Sequence, residues 1–345
     1  MSIDTPSVTA WIGTSNQGYA PLAMEEVRRT IAGAAVKVLA PGETFVIESP
    51  YDRQETLRML GDSPPVFLRH IQPIDGTLLL TGDQDPLHWL IEQVRQARPV
   101  LGNKQTAVHI RRADGSVFDR SVLETKTSVD AALRDIGAEP DQRSPEQIVS
   151  IYAVKEQLMY GIGTPEELMS DWPGGAIRFH REEGQISRAK FKLIEAERTF
   201  GLQYSQYREA LDIGAAPGGW TSLLLERGVK VTAVDPGEMH PSLKRHPNLK
   251  ILKRNASDVK FKPGTFDLLV CDMSWSPMQM VKLVLELTDS LVHGATAVVT
   301  IKLMHRKPLQ TIRDVIAKLE EAFIVHRAKQ LFHNREEITM FMTKR

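Results

Sequence analysis

Leu211-Asp212-Ile213-Gly214-Ala215-Ala216-Pro217-Gly218-Gly219-Trp220 carries the decisive pattern. An apolar run ends at a glycine-rich turn, and helical spacing resumes over Trp220–Leu225. Glycines let the backbone take positive φ and approach a ligand closely, and the first turn of a helix presents free amides. The stretch is neither GxGxxG nor a P-loop, because no lysine closes it. Asp235 follows 23 residues after Asp212, at the end of the next apolar run, Val229–Val234. A carboxylate there is placed to accept both hydroxyls of a ribose. The plainer alternative is a strand–turn–helix joint with Asp235 as a helix cap. The coincidence of loop, helix and spaced acid argues against it.

Outward from this loop, Leu211–Ile213, Val229–Val234, Leu268–Cys271 and Ala297–Ile301 are short, apolar and rich in branched residues. Separated by helical segments, they predict a parallel sheet with helices on both faces from residue 178 onward, a Rossmann-like domain. The first eighty residues differ. Strands are expected at Val8–Ile12, Val36–Leu39, Thr44–Glu48 and Val66–Ile71, with helices at Pro21–Ala32 and Asp52–Leu60, in β-α-β-β-α-β order. That order is the ferredoxin-like pattern. Over 81–177, helices are expected at Pro86–Ala97 and Ser121–Ile136, and strands at Ala107–Arg111 and Ile148–Val154. Asp171-Trp172-Pro173-Gly174-Gly175 has linker chemistry.

Of 345 residues, 42% are hydrophobic and 25% charged, which allows a sizeable core without staples. With one cysteine, Cys271, no intrachain disulfide can form, and its apolar run makes it a core residue rather than a nucleophile. Met1-Ser2-Ile3-Asp4 lacks a basic start and an apolar run, and no stretch reaches the ~18 apolar residues of a membrane span. A cytoplasmic monomer without membrane contact is expected. Lys and Arg number 43, as do Asp and Glu. Basic residues gather in Arg178–Lys192, Lys302–Arg313 and Arg327–Arg345. The histidines, His305 and His333 included, lack metal-ligand spacing, so no metal is expected.

Asp212–Trp220 resembles the cofactor loop of the FtsJ/RrmJ class of ribose 2′-O-methyltransferases. The resemblance implies S-adenosylmethionine as cofactor. Gly214, Ala216, Pro217, Gly218, Gly219 and Trp220 would take its methionine and sulfonium end, Asp235 its ribose, and Asn255 its adenine, where the class has aspartate. Asp272 would touch both cofactor and substrate. The class's Lys-Asp-Lys-Glu tetrad finds matches in Lys192 of Ser187–Leu193, Asp272 of Cys271-Asp272-Met273, Lys302 of Val299–Leu303, and Glu336 of Asn334-Arg335-Glu336-Glu337. Glu337 is the alternative, because a register slip of one exchanges the two acids. A ribose hydroxyl is a weak acid and needs a base poised near neutrality. Lys302 is the expected base, its pKa lowered by Lys192 and by desolvation. Asp272 would align lysine and hydroxyl, and Glu336 would orient Lys192.

The layout, with some 175 residues ahead of this domain, and the motifs Ser187–Leu193, Cys271-Asp272-Met273, Ile301-Lys302-Leu303 and Gln330–Thr339 resemble the RlmM family, whose members methylate a cytidine ribose in large-subunit ribosomal RNA; the resemblance is strong over 178–345 and weak over 1–177. That layout implies a ferredoxin-like domain (1–80), a THUMP-like RNA-binding domain (81–177) and the methyltransferase domain (178–345). Arg111, Arg112, Arg120 and Lys126 would grip RNA. Ala216 stands where that family often has cysteine, Ala189 where it has serine, and Asn255 where it has aspartate. Two alternatives stay open: a transfer RNA or other RNA as substrate, and an RNA-binding relic without turnover.

Overall fold

In the computed structural model, which describes residues 8–180, 184–304 and 307–345, the chain divides into two units, Met1–Ile177 and Arg178–Arg345. Met1–Asp4 and His305, on which expectations were placed above, lie outside the described residues.

The first unit opens with β1 (Thr9–Thr14), α1 (Ala20–Thr30), β2 (Ala35–Ala40), β3 (Thr44–Ser49), α2 (Arg53–Asp62) and β4 (His70–Pro73). Its four-stranded sheet has the order β2-β3-β1-β4, all pairs antiparallel. Asp52 caps α2 by accepting from the Glu55 amide, satisfying an otherwise free donor of the first turn. The strand expected at Val66–Ile71 begins instead at His70. The amides of Val66 and Phe67 donate to the Glu26 carboxylate, which takes them out of any ladder.

There follow β5 (Gly76–Leu79), α3 (Pro86–Gln96), α4 (Arg98–Leu101), β6 (Gln105–Arg112), α5 (Val122–Asp135), β7 (Glu139–Pro140), β8 (Gln147–Val154) and β9 (Gln157–Gly163), giving a sheet of order β5-β9-β8-β6-β7. The boundary drawn after residue 80 needs correcting. β5 pairs with β9, so Gly76–Leu79 belongs to this second sheet. The linker expected at 171–175 is packed, not loose. Gly174 and Gly175 have positive φ, and an added Cβ would meet the Arg111 guanidinium at 2.6 Å and the Arg69 side chain at 2.9 Å.

The second unit runs α6 (Ala189–Thr199), β10 (Glu209–Ile213), α7 (Gly219–Glu226), β11 (Lys230–Val234), β12 (Leu249–Leu252), β13 (Phe266–Cys271), α8 (Pro277–Glu286), β14 (Leu291–Lys302), α9 (Pro308–Leu319), β15 (Phe323–Lys329) and β16 (Glu337–Lys344). Its seven strands lie in the order β12-β11-β10-β13-β14-β16-β15. The five strands β10 to β14 pair in parallel, and β16 runs antiparallel to both neighbours. The central strands are buried along nearly their whole length, as strands covered on both faces must be. Gly219 to Leu225 of α7 are all buried, so this helix presents no polar face to solvent. The sheet order reverses direction at β10, and the crevice beyond the carboxyl ends of such strands is where ligands bind in open α/β sheets.

Candidate active site

Beyond the ends of β10, β11 and β13 lies a cavity of about 350 Å³, lined by Gly214, Ala216, Val234, Asp235, Pro236, Asn255, Ala256, Asp272, Met273, Ser274 and Trp275. Gly214 has φ +77°, and a Cβ there would sit 2.4 Å from the Met273 side chain, so only glycine fits. Asp235 leaves the end of β11 with its carboxylate already oriented. Oδ2 accepts from the Ala216 amide at 3.1 Å and Oδ1 from the Gly237 amide at 2.6 Å. Each oxygen keeps a lone pair for a further donor. Asn255 donates its amide to Asp258 at 3.3 Å, which leaves its carbonyl as an acceptor. A glycine turn, a fixed carboxylate and an amide around this cavity have the chemistry to fit a nucleoside carrying a vicinal diol.

Four residues expected at the cofactor do not line this cavity. Trp220 is 3% exposed and donates its indole N–H to the Ala189 carbonyl at 2.8 Å, locking α7 against α6. Gly218, at φ +115°, faces Leu243, and Gly219 faces Ser187. Pro217 is exposed at the turn. These four shape the loop and do not line the cavity.

Asp212, just before the loop, is fully buried and accepts from the Thr221 hydroxyl at 2.5 Å, tying β10 to α7. Burial pushes its pKa up to about 7, against the Thr221 hydrogen bond, with Asp272 and Asp235 adding to the rise.

Lys192, Asp272 and Glu337 meet at one edge of the cavity, while Lys302 and Glu336 form a separate pair. Lys192, on α6, places Nζ 3.2 and 3.1 Å from the two oxygens of Asp272, and 2.9 Å from Oε1 of Glu337. All three side chains are less than a fifth exposed. Burial works against the Lys192 charge, but the Asp272 and Glu337 carboxylates outweigh it and hold its pKa above the ordinary lysine value. Lys192 is therefore an ammonium between two acids and not the bare neighbouring charge that was expected to act on Lys302.

The partner of Lys192 is Glu337, not Glu336. β16 begins at Glu337, which pairs with Lys302, while Thr339 pairs with Thr300. Cross-strand partners share a face, and the Thr300 hydroxyl donates to Asp272 Oδ1 at 2.9 Å, so that face looks onto the acid. Glu336, one residue earlier, lies outside the strand. Its carboxylate sits 3.4 Å from Lys302 Nζ, with Lys302 39% and Glu336 54% exposed. Sequence reading missed Thr300. The signal was present, because Thr300 lies two residues before Lys302 on one strand and must share its face. It also missed Met273-Ser274-Trp275 as a cavity wall, although they follow Asp272 directly.

The four cations expected to grip RNA in the first unit are already engaged. Arg111 is half-buried, 5.0 Å over the Tyr152 ring, and donates to Thr14 Oγ1. Arg112 donates to the Phe118 carbonyl. Arg120 sits among Asp85, Asp119 and Glu124, and Lys126 pairs with Asp130.

A glycine turn, a carboxylate fixed at a strand end and a lysine–carboxylate cluster on a parallel sheet are the arrangement of an S-adenosylmethionine-dependent methyltransferase, and residues 185–335 match the FtsJ-like methyltransferase family. The whole chain narrows this further. It is 33% identical over 339 residues to the ribosomal RNA large subunit methyltransferase M of Laribacter hongkongensis, covering 93% of each chain. It is 27% identical to that of Azotobacter vinelandii, covering 92% of each. The chain belongs to the ribosomal RNA large subunit methyltransferase M family. Among solved structures it is similar to TrmN from Thermus thermophilus, at 17% identity, 97% coverage of this chain, 99% of that one and a TM-score of 0.42. No described helix is long and apolar enough to cross a membrane.

Proposed function

We propose that this protein methylates the ribose 2′-oxygen of a cytidine in large-subunit ribosomal RNA. The observation that carries the reading is the Lys192–Asp272–Glu337 cluster at the edge of a cavity shaped for a nucleoside. S-adenosylmethionine, when bound, supplies an electrophilic methyl group on a sulfonium. Asp235 is the residue to accept the two ribose hydroxyls of the cofactor, Asn255 to meet its adenine edge, and the Gly214–Ala216 backbone to meet its amino-acid end. Lys192 stays protonated and fixes the Asp272 carboxylate, with Thr300 holding the same carboxylate from β14. Lys302, the last residue of β14, is the group assigned to take the hydroxyl proton. Glu337 replaces Glu336 as fourth member of the tetrad. Positioning of oxygen, methyl carbon and sulfur in line supplies much of the rate.

The amino-terminal unit is read as a ferredoxin-like domain followed by a THUMP-like domain, both serving RNA capture. Support for the first comes from the β1-α1-β2-β3-α2-β4 order and the antiparallel β2-β3-β1-β4 sheet.

The base assignment is tested by single-turnover methyl transfer with Lys302→Ala and Lys302→Arg. General-base catalysis contributes about 10²–10⁴-fold, so both variants should lose at least 100-fold while binding cofactor as the parent does. A guanidinium does not release its proton in this range. An arginine variant near the parental rate would show that the position needs only charge.

A further inference from the structure

Charge is split unevenly between the two units. Residues 1–177 hold 16 Lys and Arg against 24 Asp and Glu, and residues 178–345 hold 27 against 19. The balanced total therefore hides an acidic first unit and a basic second one. Within the second unit the excess concentrates where the sheet ends. β12 is an edge strand, paired with β11 alone. Between residues 244 and 262, on and beside β12, there are seven Lys and Arg and one acid, Asp258. All seven are exposed.

Exposure alone describes any solvated surface, so the pairing decides. Lys244 and Lys253 share Glu238. For Arg245, Lys250, Arg254, Lys260 and Lys262, no acidic partner stands within 4 Å among the described residues. This contrasts with the first unit, where Arg120 and Lys126 are matched by carboxylates and Arg111 is held against Tyr152 and Thr14. Cations clustered without counter-charges repel one another, and a polyanion relieves that repulsion. The strip also abuts the site. Arg254 adjoins Asn255, which lines the cavity together with Ala256.

We propose that the β12 edge, from Arg245 to Lys262, is the track that grips the phosphate backbone of the RNA beside the target nucleotide. The inference rests on the RNA-methyltransferase reading above and deepens it. Four strand spacings of ~4.8 Å separate β12 from β14, which carries Lys302, so the track lies ~19 Å across the sheet from the base. At that distance it holds flanking nucleotides and reads no base at the reacting centre. Contacts of this kind are sequence-independent and position the nucleic acid.

The test uses the full chain and a labelled, mixed-sequence single-stranded RNA 20-mer, with binding followed by anisotropy from 50 to 200 mM salt. The variant carries Arg245→Gln, Lys250→Gln, Lys260→Gln and Lys262→Gln; Arg254 is left intact because it adjoins the cavity. Each lost phosphate contact on a single strand should reduce the slope of log K against log salt by about 0.7. Loss of all four contacts makes the parent's affinity fall about 50-fold further than the variant's over this range. Cofactor affinity should not change. A control with Arg120→Gln and Lys126→Gln should keep the parental slope. A parent with a steep slope, a β12 variant that keeps it and a control that flattens it would overturn the track while leaving the proposed reaction intact. Absence of methyl transfer by the parent to ribosomal RNA would instead overturn the reaction.

Discussion

Replacing Glu337 with glutamine removes one of the two carboxylates that hold the Lys192 ammonium, with nearly the same side-chain shape. The contact is 2.9 Å long and its two side chains are 13% and 19% exposed, so solvent screens it poorly. A hydrogen bond to a charged group in such a site contributes about 1.5–3 kcal/mol. Asp272 still neutralises Lys192 in the variant, so the larger cost of a stranded buried charge is not expected. If the orientation of Lys192 and Asp272 matters most in the transition state, that energy appears in kcat as a loss of about 10- to 150-fold. Glu336→Gln is the matched control. Its pair with Lys302 is longer, at 3.4 Å, and 39% and 54% exposed. Surface pairs contribute about 0.2–1 kcal/mol, so this variant should lose less than about 5-fold. Single-turnover rates, taken with thermal unfolding and cofactor titration of each variant, separate chemistry from folding. A Glu336 variant slower than the Glu337 variant, with both folded, would refute the assignment of the fourth tetrad position.

Asp235→Ala should weaken S-adenosylhomocysteine binding at least about 10-fold by calorimetry, since one charge-assisted bond contributes about 1.5 kcal/mol or more; equal affinity would remove Asp235 from the site. His70 and His109 are buried in the first unit and resist protonation. Burial lowers both, with Arg111 adding to the effect, His109 to about 4. The unfolded imidazoles bind protons near pH 6.5 and the folded ones do not, so stability should be whole above 6.5 and fall as pH drops towards 4. Denaturant midpoints between pH 7 and 4 check this, and His109→Gln should show a shallower fall than the parent.

The catalytic unit was legible because its core strands are continuous apolar runs that end at chemically distinctive residues. Gly214, Asp235, Asp272 and Lys302 each sit at or just past a strand end, where sequence marks the change from apolar to polar. Polar edges were harder to read. β15 carries exposed His326 and Arg327, and β12 is only four residues long, so neither has the apolar signature of a covered strand. β4 shifted because a tertiary acceptor, Glu26, captured two amides that propensity would have paired. The choice between Glu336 and Glu337 required the register of β14 against β16, a long-range fact that neighbouring acids do not reveal. The engagement of Arg111, Arg120 and Lys126 was hidden for the same reason, because their partners come partly from other elements or from helix geometry.

Transfer of a methyl group to a ribose oxygen of large-subunit ribosomal RNA can be observed directly. The direct measurement is incubation of the purified full chain with isotopically methyl-labelled S-adenosylmethionine and large-subunit ribosomal RNA lacking modifications, followed by digestion to nucleosides. Label should appear in 2′-O-methylcytidine, at one site per RNA, and fall at least about 100-fold with Lys302→Ala. Label on a base, or no label with parent protein that binds cofactor and RNA, would contradict it.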